Sequence, residues 1–403
     1  MKQDIDKNHN HLQAVVHSIS TINGYGAAWS LARAGVPVVG LWADRNPMVY
    51  SKLTRENIRV PDENSHGEEL IGRLVDLGKQ AKSRRVLYMM SDLGAFLAST
   101  HREQLEPYYI HPWMTWDQVK ATLHRKTMFE IAESAGVALP RTWFSSNDNW
   151  SDIDLQKLPY PLILKPMVSR FGFDNETVTN AWTFTNKYGK AIELHNADQF
   201  RAVLPDLVSD DTPVCAQERI YCKIRDLWTH HFYCVGGEIK AEFCGHKVHQ
   251  IPEDFGTGSI TRAEPNTDIA RESAKFLRAT RFTGIGNIEY IRTDEGYKFV
   301  EINPRGYYWS SLATACGVNL YKIMYDHLGL GIEPAWAQQT HDGLIWYDVD
   351  HLPSYLRSPN KEMAVSRFLL SRRREAAANL HEPRLAYRRY KAFCKKLLSI
   401  NAT

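Results

Sequence analysis

The sequence holds no CxxC pair, no internal repeat, no low-complexity tract and no apolar run near the roughly 18 residues of a membrane-spanning helix. Its first eleven residues are polar and lack the apolar centre of a signal peptide, so a cytoplasmic location is expected. A formal net charge of only +3 over 403 residues gives no reason to expect a nucleic-acid partner. No Ser–His–Asp or Cys–His arrangement is legible, so no side-chain nucleophile is expected. Four of the six cysteines, Cys215, Cys222, Cys234 and Cys244, fall near His230, His231, His246 and His249. Their spacings fit no zinc motif, and reduced thiols packed as small apolar residues in adjacent strands account for them.

What is present is the composition of a globular enzyme, 43% hydrophobic and 24% charged, in a chain long enough for two or three cores. Residues 14–19 read as an apolar strand, followed by a glycine-containing turn into a helix that ends at Gly35. Residues 36–42 and 86–90 are further buried strands. This βαβ progression implies a parallel sheet. Gly24 and Gly26, with Ala28 behind them and Asp44 twenty positions after Gly24, partly match a dinucleotide fingerprint. An NAD-dependent oxidoreductase is therefore one reading, although any tight strand-to-helix turn needs glycines.

From residue 117 the character changes. Residues 117–135 read as one helical stretch, 141–144 and 160–165 as strands, and 167–188 as a polar segment with the composition of a closing loop. Strands dominate from 214 to 243, a helix covers 268–280, and 286–293 and 297–303 form a hairpin. That hairpin carries the strongest chemical signal. Glu301 and Asn303 lie two apart on one strand and so share a face, and Glu289 on the partner strand can stand beside them. Acids among Ile, Val and Phe are costly unless neutralised, and two carboxylates with an amide oxygen are hard ligands suited to magnesium. Lys126 and Lys165 precede the hairpin; Lys165 ends an apolar strand, where a rigid element would deliver its charge to a phosphate. Gln217, Glu218, Arg219 and Ile220 run from strand into loop, a stretch able to offer backbone groups and an apolar face to a purine.

In this order, Lys126, Lys165-Pro166, Gln217-Glu218, Glu289 and Glu301-Ile302-Asn303-Pro304-Arg305, the chain resembles the ATP-grasp superfamily, and within it the ATP-dependent carboxylate–amine ligases that include D-aspartate ligases. The resemblance spans about residues 14–330. It implies an α/β and α+β architecture: a Rossmann-like N-terminal domain (1–115), a first ATP-grasp subdomain with a mobile loop (116–214), a second with the metal hairpin (215–335), and a helical basic C-terminal extension (336–403). It also implies ATP and Mg2+ as cofactors. Lys126 and Lys165 then correspond to phosphate-binding lysines, Gln217 to Ile220 to the adenine hinge, and Asp226 to the ribose-binding acid. Glu289, Glu301 and Asn303 correspond to the metal ligands, and Arg305, with Arg262, to residues steadying the transferred phosphoryl group. The loop after Pro166 departs from the glycine-rich pattern, with Ser169 and Arg170 available in place of backbone donors.

The expected reaction joins a carboxylate to an amine through an acyl-phosphate, with an amino acid and a glycan or peptide precursor among the candidate substrates. A non-catalytic ATP-binding sensor is the other alternative. The oligomeric state is not legible. From Lys361 onward eleven Lys and Arg face three Glu. Ala386, Tyr390, Phe393, Cys394 and Leu397 recur at helical spacing there, so a surface helix packed on the core, or one lying on acidic lipid, is expected.

Overall fold

The structure, a computed structural model, describes residues 12–146, 150–168, 172–174, 177–179, 184, 187–209, 213–358, 361–377 and 382–398. It is a mixed α/β fold built on three main sheets. The first comprises β1 (Ala14–Val16), β2 (Val38–Trp42), β3 (Glu56–Arg59), β4 (Arg85–Tyr88) and β5 (Tyr109–Ile110), all parallel, in the order β3-β2-β1-β4-β5. Its central strands are buried on both faces, which is why they read as continuous apolar runs. The chain leaves β1 toward one side and β4 lies on the other, a reversal beyond whose carboxyl ends ligands collect. The helices Ile22–Arg33 and Asp92–Thr100 begin at that edge, capped by Thr21 and Ser91, whose hydroxyls accept from Gly24 N and Gly94 N. Gly24 is required by packing: a Cβ there would stand 2.2 Å from the carbonyl oxygen of Ser18.

The second sheet contains β6 (Thr142–Phe144), β7 (Leu162–Pro166), β10 (Ile192–Leu194) and β11 (Val214–Glu218), antiparallel in the order β10-β7-β11-β6; β8 (Gly172–Asp174) and β9 (Thr177–Thr179) pair separately. The third contains β12 (Leu227–Val235), β13 (Glu238–Ile251), β14 (Thr257–Ala263), β15 (Gly284–Thr293), β16 (Gly296–Asn303), β17 (Ala337–Gln338), β18 (Ile345–Tyr347) and β19 (Arg373–Glu375). It runs β16-β15-β12-β13-β14-β18-β19, with β17 beside β13. One apolar core joins Val15 and Phe96 at the parallel sheet to Phe129, Phe276, Phe299 and Ile302 at the large one.

Two expectations need correction. The stretch 117–135 is two helices, Trp116–Leu123 and Arg125–Ser134, because His124 takes an extended backbone and uses its side chain to cap the second. The C-terminal region is not simply helical: β17, β18 and β19 extend the large sheet, with Ile345 and Trp346 fully buried. The helix Pro383–Leu398 turns Leu385 and Arg389 inward, while Tyr390 and Cys394 are exposed. Arg389 pairs with Asp348 at 2.7 Å and Glu375 at 3.0 Å, so the seating face is set by an ion network and lies one position from the apolar stripe in the sequence. Among the described residues no helix is long and apolar enough to cross a membrane.

Arg389→Ala would take the guanidinium away from two buried carboxylates. We expect a loss of about 3–5 kcal/mol in urea unfolding, and a smaller loss for Arg389→Met with Asp348→Asn and Glu375→Gln, which removes the charges together.

Candidate active site

A cleft of about 900 Å³ is lined by the second sheet, the large sheet and the carboxyl edge of the parallel sheet. Its floor is the β15–β16 hairpin. The register sets Glu289 against Glu301 and Asn287 against Asn303, so both carboxylates share one face. Two acids directly opposite repel, and cations from separate elements balance them. Arg125 approaches Glu301 at 3.3 Å while its Nε donates to the carbonyl oxygen of Pro166 at 2.9 Å. Lys247, buried on β13, lies 3.4 Å from Glu289, whose other oxygen accepts from the Tyr307 hydroxyl at 2.9 Å. Burial alone would raise the Glu301 carboxyl, but Arg125 and Lys165 outweigh it and hold it below the usual range. Burial, then the Glu289 charge, pushes the Tyr307 phenol well up, keeping it a donor.

Asn303 donates to Asn287 Oδ1 at 3.0 Å and accepts from Arg305 at 3.2 Å. Arg305 grips Asp92 with two nitrogens, at 2.7 and 3.0 Å, tying the hairpin to the parallel sheet. On the opposite wall Lys165 donates to Gln217 Oε1 at 2.8 Å, and burial pushes its ammonium down to about 8. Gln217 also donates to Thr142; Glu218 sits between Arg141 and Lys298, which together hold its carboxyl low against the effect of burial. Arg219 is fixed by Glu193 and Asp254 and lies over the Phe255 ring. Ile220 follows on the connection from β11 to β12, where the chain passes from one sheet to the other.

No family model matches the sequence. Over 323 residues the chain is 24% identical to a D-aspartate ligase of Enterococcus faecium (strain Aus0004), an alignment covering 76% of this chain and 74% of that protein. An L-amino acid ligase from Bacillus licheniformis superposes with a TM-score of 0.58 at 11% identity, over 79% of this chain and 74% of that one. The ADP complex of purK, an N5-carboxyaminoimidazole ribonucleotide synthetase, gives 0.60 at 12% identity over 86% and 84%. A biotin carboxylase complex from Campylobacter jejuni gives 0.59 at 12% over 81% and 72%. The chain resembles the ATP-grasp ligases.

The structure gathers Lys165, Gln217, Glu218, Arg219, Ile220, Glu289, Glu301, Asn303 and Arg305 along the cleft. Three expected residues stand elsewhere. Lys126 is exposed, because the break at His124 turns Arg125 inward in its place. Asp226 is engaged by Arg292 at 2.6 Å and by its own turn, and does not line the cleft. Arg262 lies opposite His246 on β14, out of phase with the cleft-lining Thr257 and Ser259, so the strand's period of two turns it away. Arg125, Lys247, Tyr307 and Asp92 were not singled out from the sequence. Lys247 left a trace there, as the one cation within a run of buried β13 residues.

The donor set of Glu289, Glu301 and Asn303 suits a hard divalent cation such as magnesium. Among the described residues no three or more His, Cys, Asp or Glu gather as for zinc. Cys215 belongs to the second sheet, and Cys234 and Cys244 are buried in the third. Asp44 is exposed and does not line the cleft. Of the expected closing segment, Ser169, Arg170 and much of 171–186 lie outside the described residues.

Lys165 loses its proton near pH 8 when folded, against 10.5 for the free side chain. Between those values the unfolded chain holds more protons, so this group's contribution to stability rises with pH. In urea titrations at pH 7 and pH 10 the wild type should gain on Lys165→Met by on the order of 2 kcal/mol.

Proposed function

We propose that this chain is an ATP- and magnesium-dependent ligase that joins a carboxylate to an amine through an acyl-phosphate, releasing ADP and phosphate. The observation that carries it is the facing Glu289–Glu301 pair, ringed by Arg125, Lys165, Lys247 and Arg305, in a cleft whose far end is a strand-to-strand hinge. In this reading residues 1–115 are a Rossmann-like domain, 116–214 and 215–335 are the two grasping subdomains, and 336–403 complete the large sheet. The protein works in the cytoplasm, where ATP is at hand.

Gln217 to Ile220 present backbone groups to the adenine edge, with Ile220 against its face. Lys165 and Arg125, both close to the Glu301 carboxylate, hold the phosphates, Arg125 taking the place expected of Lys126. Glu289, Glu301 and Asn303 hold magnesium, which when bound neutralises the phosphate oxygens and orients the terminal phosphoryl group. Arg305, fixed by Asp92, steadies that group as a substrate carboxylate oxygen bonds to phosphorus and ADP leaves. An amine then attacks the acyl carbon, phosphate departs, and the amine proton passes to solvent. Asp226 and Arg262, which do not line the cleft, are given no role in this reading. The E. faecium relative makes aspartate the first carboxylate to try.

The deciding measurement is ADP release in the presence of magnesium, ATP and a panel of amino acids and amines. Glu301→Gln should lower release at least about a hundredfold while melting within a few degrees of the wild type, because it removes an anionic ligand without changing shape. Full release by Glu301→Gln, or none by the wild type with any pair, would overturn the assignment.

A further inference from the structure

The wall of the cleft formed by the parallel sheet contributes Ser18, Thr21, Asn23, Glu63, Ser91 and Asp92, from the ends of β1, β3 and β4. Three of the cleft's carboxylates have a lysine or arginine beside them: Asp92 has Arg305, Glu301 has Arg125 and Glu289 has Lys247. Glu63 differs from them. Its side chain is 11% exposed, its Oε2 accepts from the Ser91 hydroxyl at 2.7 Å, and it stands 3.7 Å from the His17 ring. Among the described residues no lysine or arginine pairs with it. A carboxylate this far withdrawn from water is costly until a cation joins it.

The carboxylate is also held in place. Gly94 N donates to Ser91 Oγ, and Ser91 Oγ donates to Glu63, so the end of the helix Asp92–Thr100 fixes one oxygen. The remaining lone pairs are free to accept from a ligand, and an ammonium, with three donors on a compact charge, matches them. We propose that Glu63 holds the protonated amino group of a free amino-acid substrate, with Ser91 as the residue that orients it. This rests on the ligase reading and names the substrate class that the parallel sheet selects.

The test is calorimetric binding, with magnesium and a non-hydrolysable ATP analogue present, of amino acids of both hands and their counterparts lacking the amine, such as succinate for aspartate and glutarate for glutamate. Wild type should bind at least one amino acid at least about tenfold more tightly than its amine-free counterpart, the scale of one charge-assisted contact. Glu63→Gln should erase that preference while keeping the affinity for the ATP analogue and the melting temperature. The idea fails if no amino acid binds, if Glu63→Gln keeps the preference, or if it loses amino acid and counterpart alike. ADP release, measured in parallel with ATP in place of the analogue, separates the two readings. Amine-dependent binding without any release sinks the ligase and leaves the Glu63 site standing, whereas release that Glu63→Gln leaves intact does the reverse.

Discussion

Two carboxylates directly opposed on an antiparallel pair are the constraint around which this molecule is arranged. Glu289 and Glu301 face each other in register, half-withdrawn from water, and cations close by offset their repulsion. The fold supplies them from elements far apart in sequence: Arg125 from the start of a helix, Lys165 from the end of β7, Lys247 from the middle of β13. Each of those elements is therefore tied to the hairpin by charge as well as by packing. A site that gathers this many fixed charges is electrostatically preorganised.

The same hairpin connects to the parallel sheet. Asn303 and Arg305 follow Glu301 on and just after β16, and Arg305 carries the contact across to Asp92 at the first turn of a helix on that sheet. The strand reversal at β1 and β4 thus opens onto the acidic hairpin, so one cleft has a charged end and a polar end. The shared core from Val15 to Ile302 keeps these two ends in one piece.

The C-terminal region reaches the cleft by a less direct route. Arg389 fixes Asp348, which accepts a hydrogen bond from Tyr308, and Tyr308 lines the cleft. Tyr25, on the first helix, donates to Glu382 just ahead of the last one. Basic residues near the chain's end thus act partly as internal partners, a role that net charge alone does not reveal.

Local pattern was enough for the parallel sheet, the β15–β16 hairpin, the face shared by Glu301 and Asn303, and Lys165 at a strand end. Each follows from periodicity and turn chemistry within about twenty residues. It was not enough to choose Arg125 over Lys126, because that choice depends on a one-residue break at His124 that resets the helix phase. Nor could it turn Arg262 away from the cleft, engage Asp226 with Arg292, or find β17 to β19 in a basic tail. Those outcomes are contacts between residues distant in sequence, and which charge meets which is decided only when three sheets close on one another.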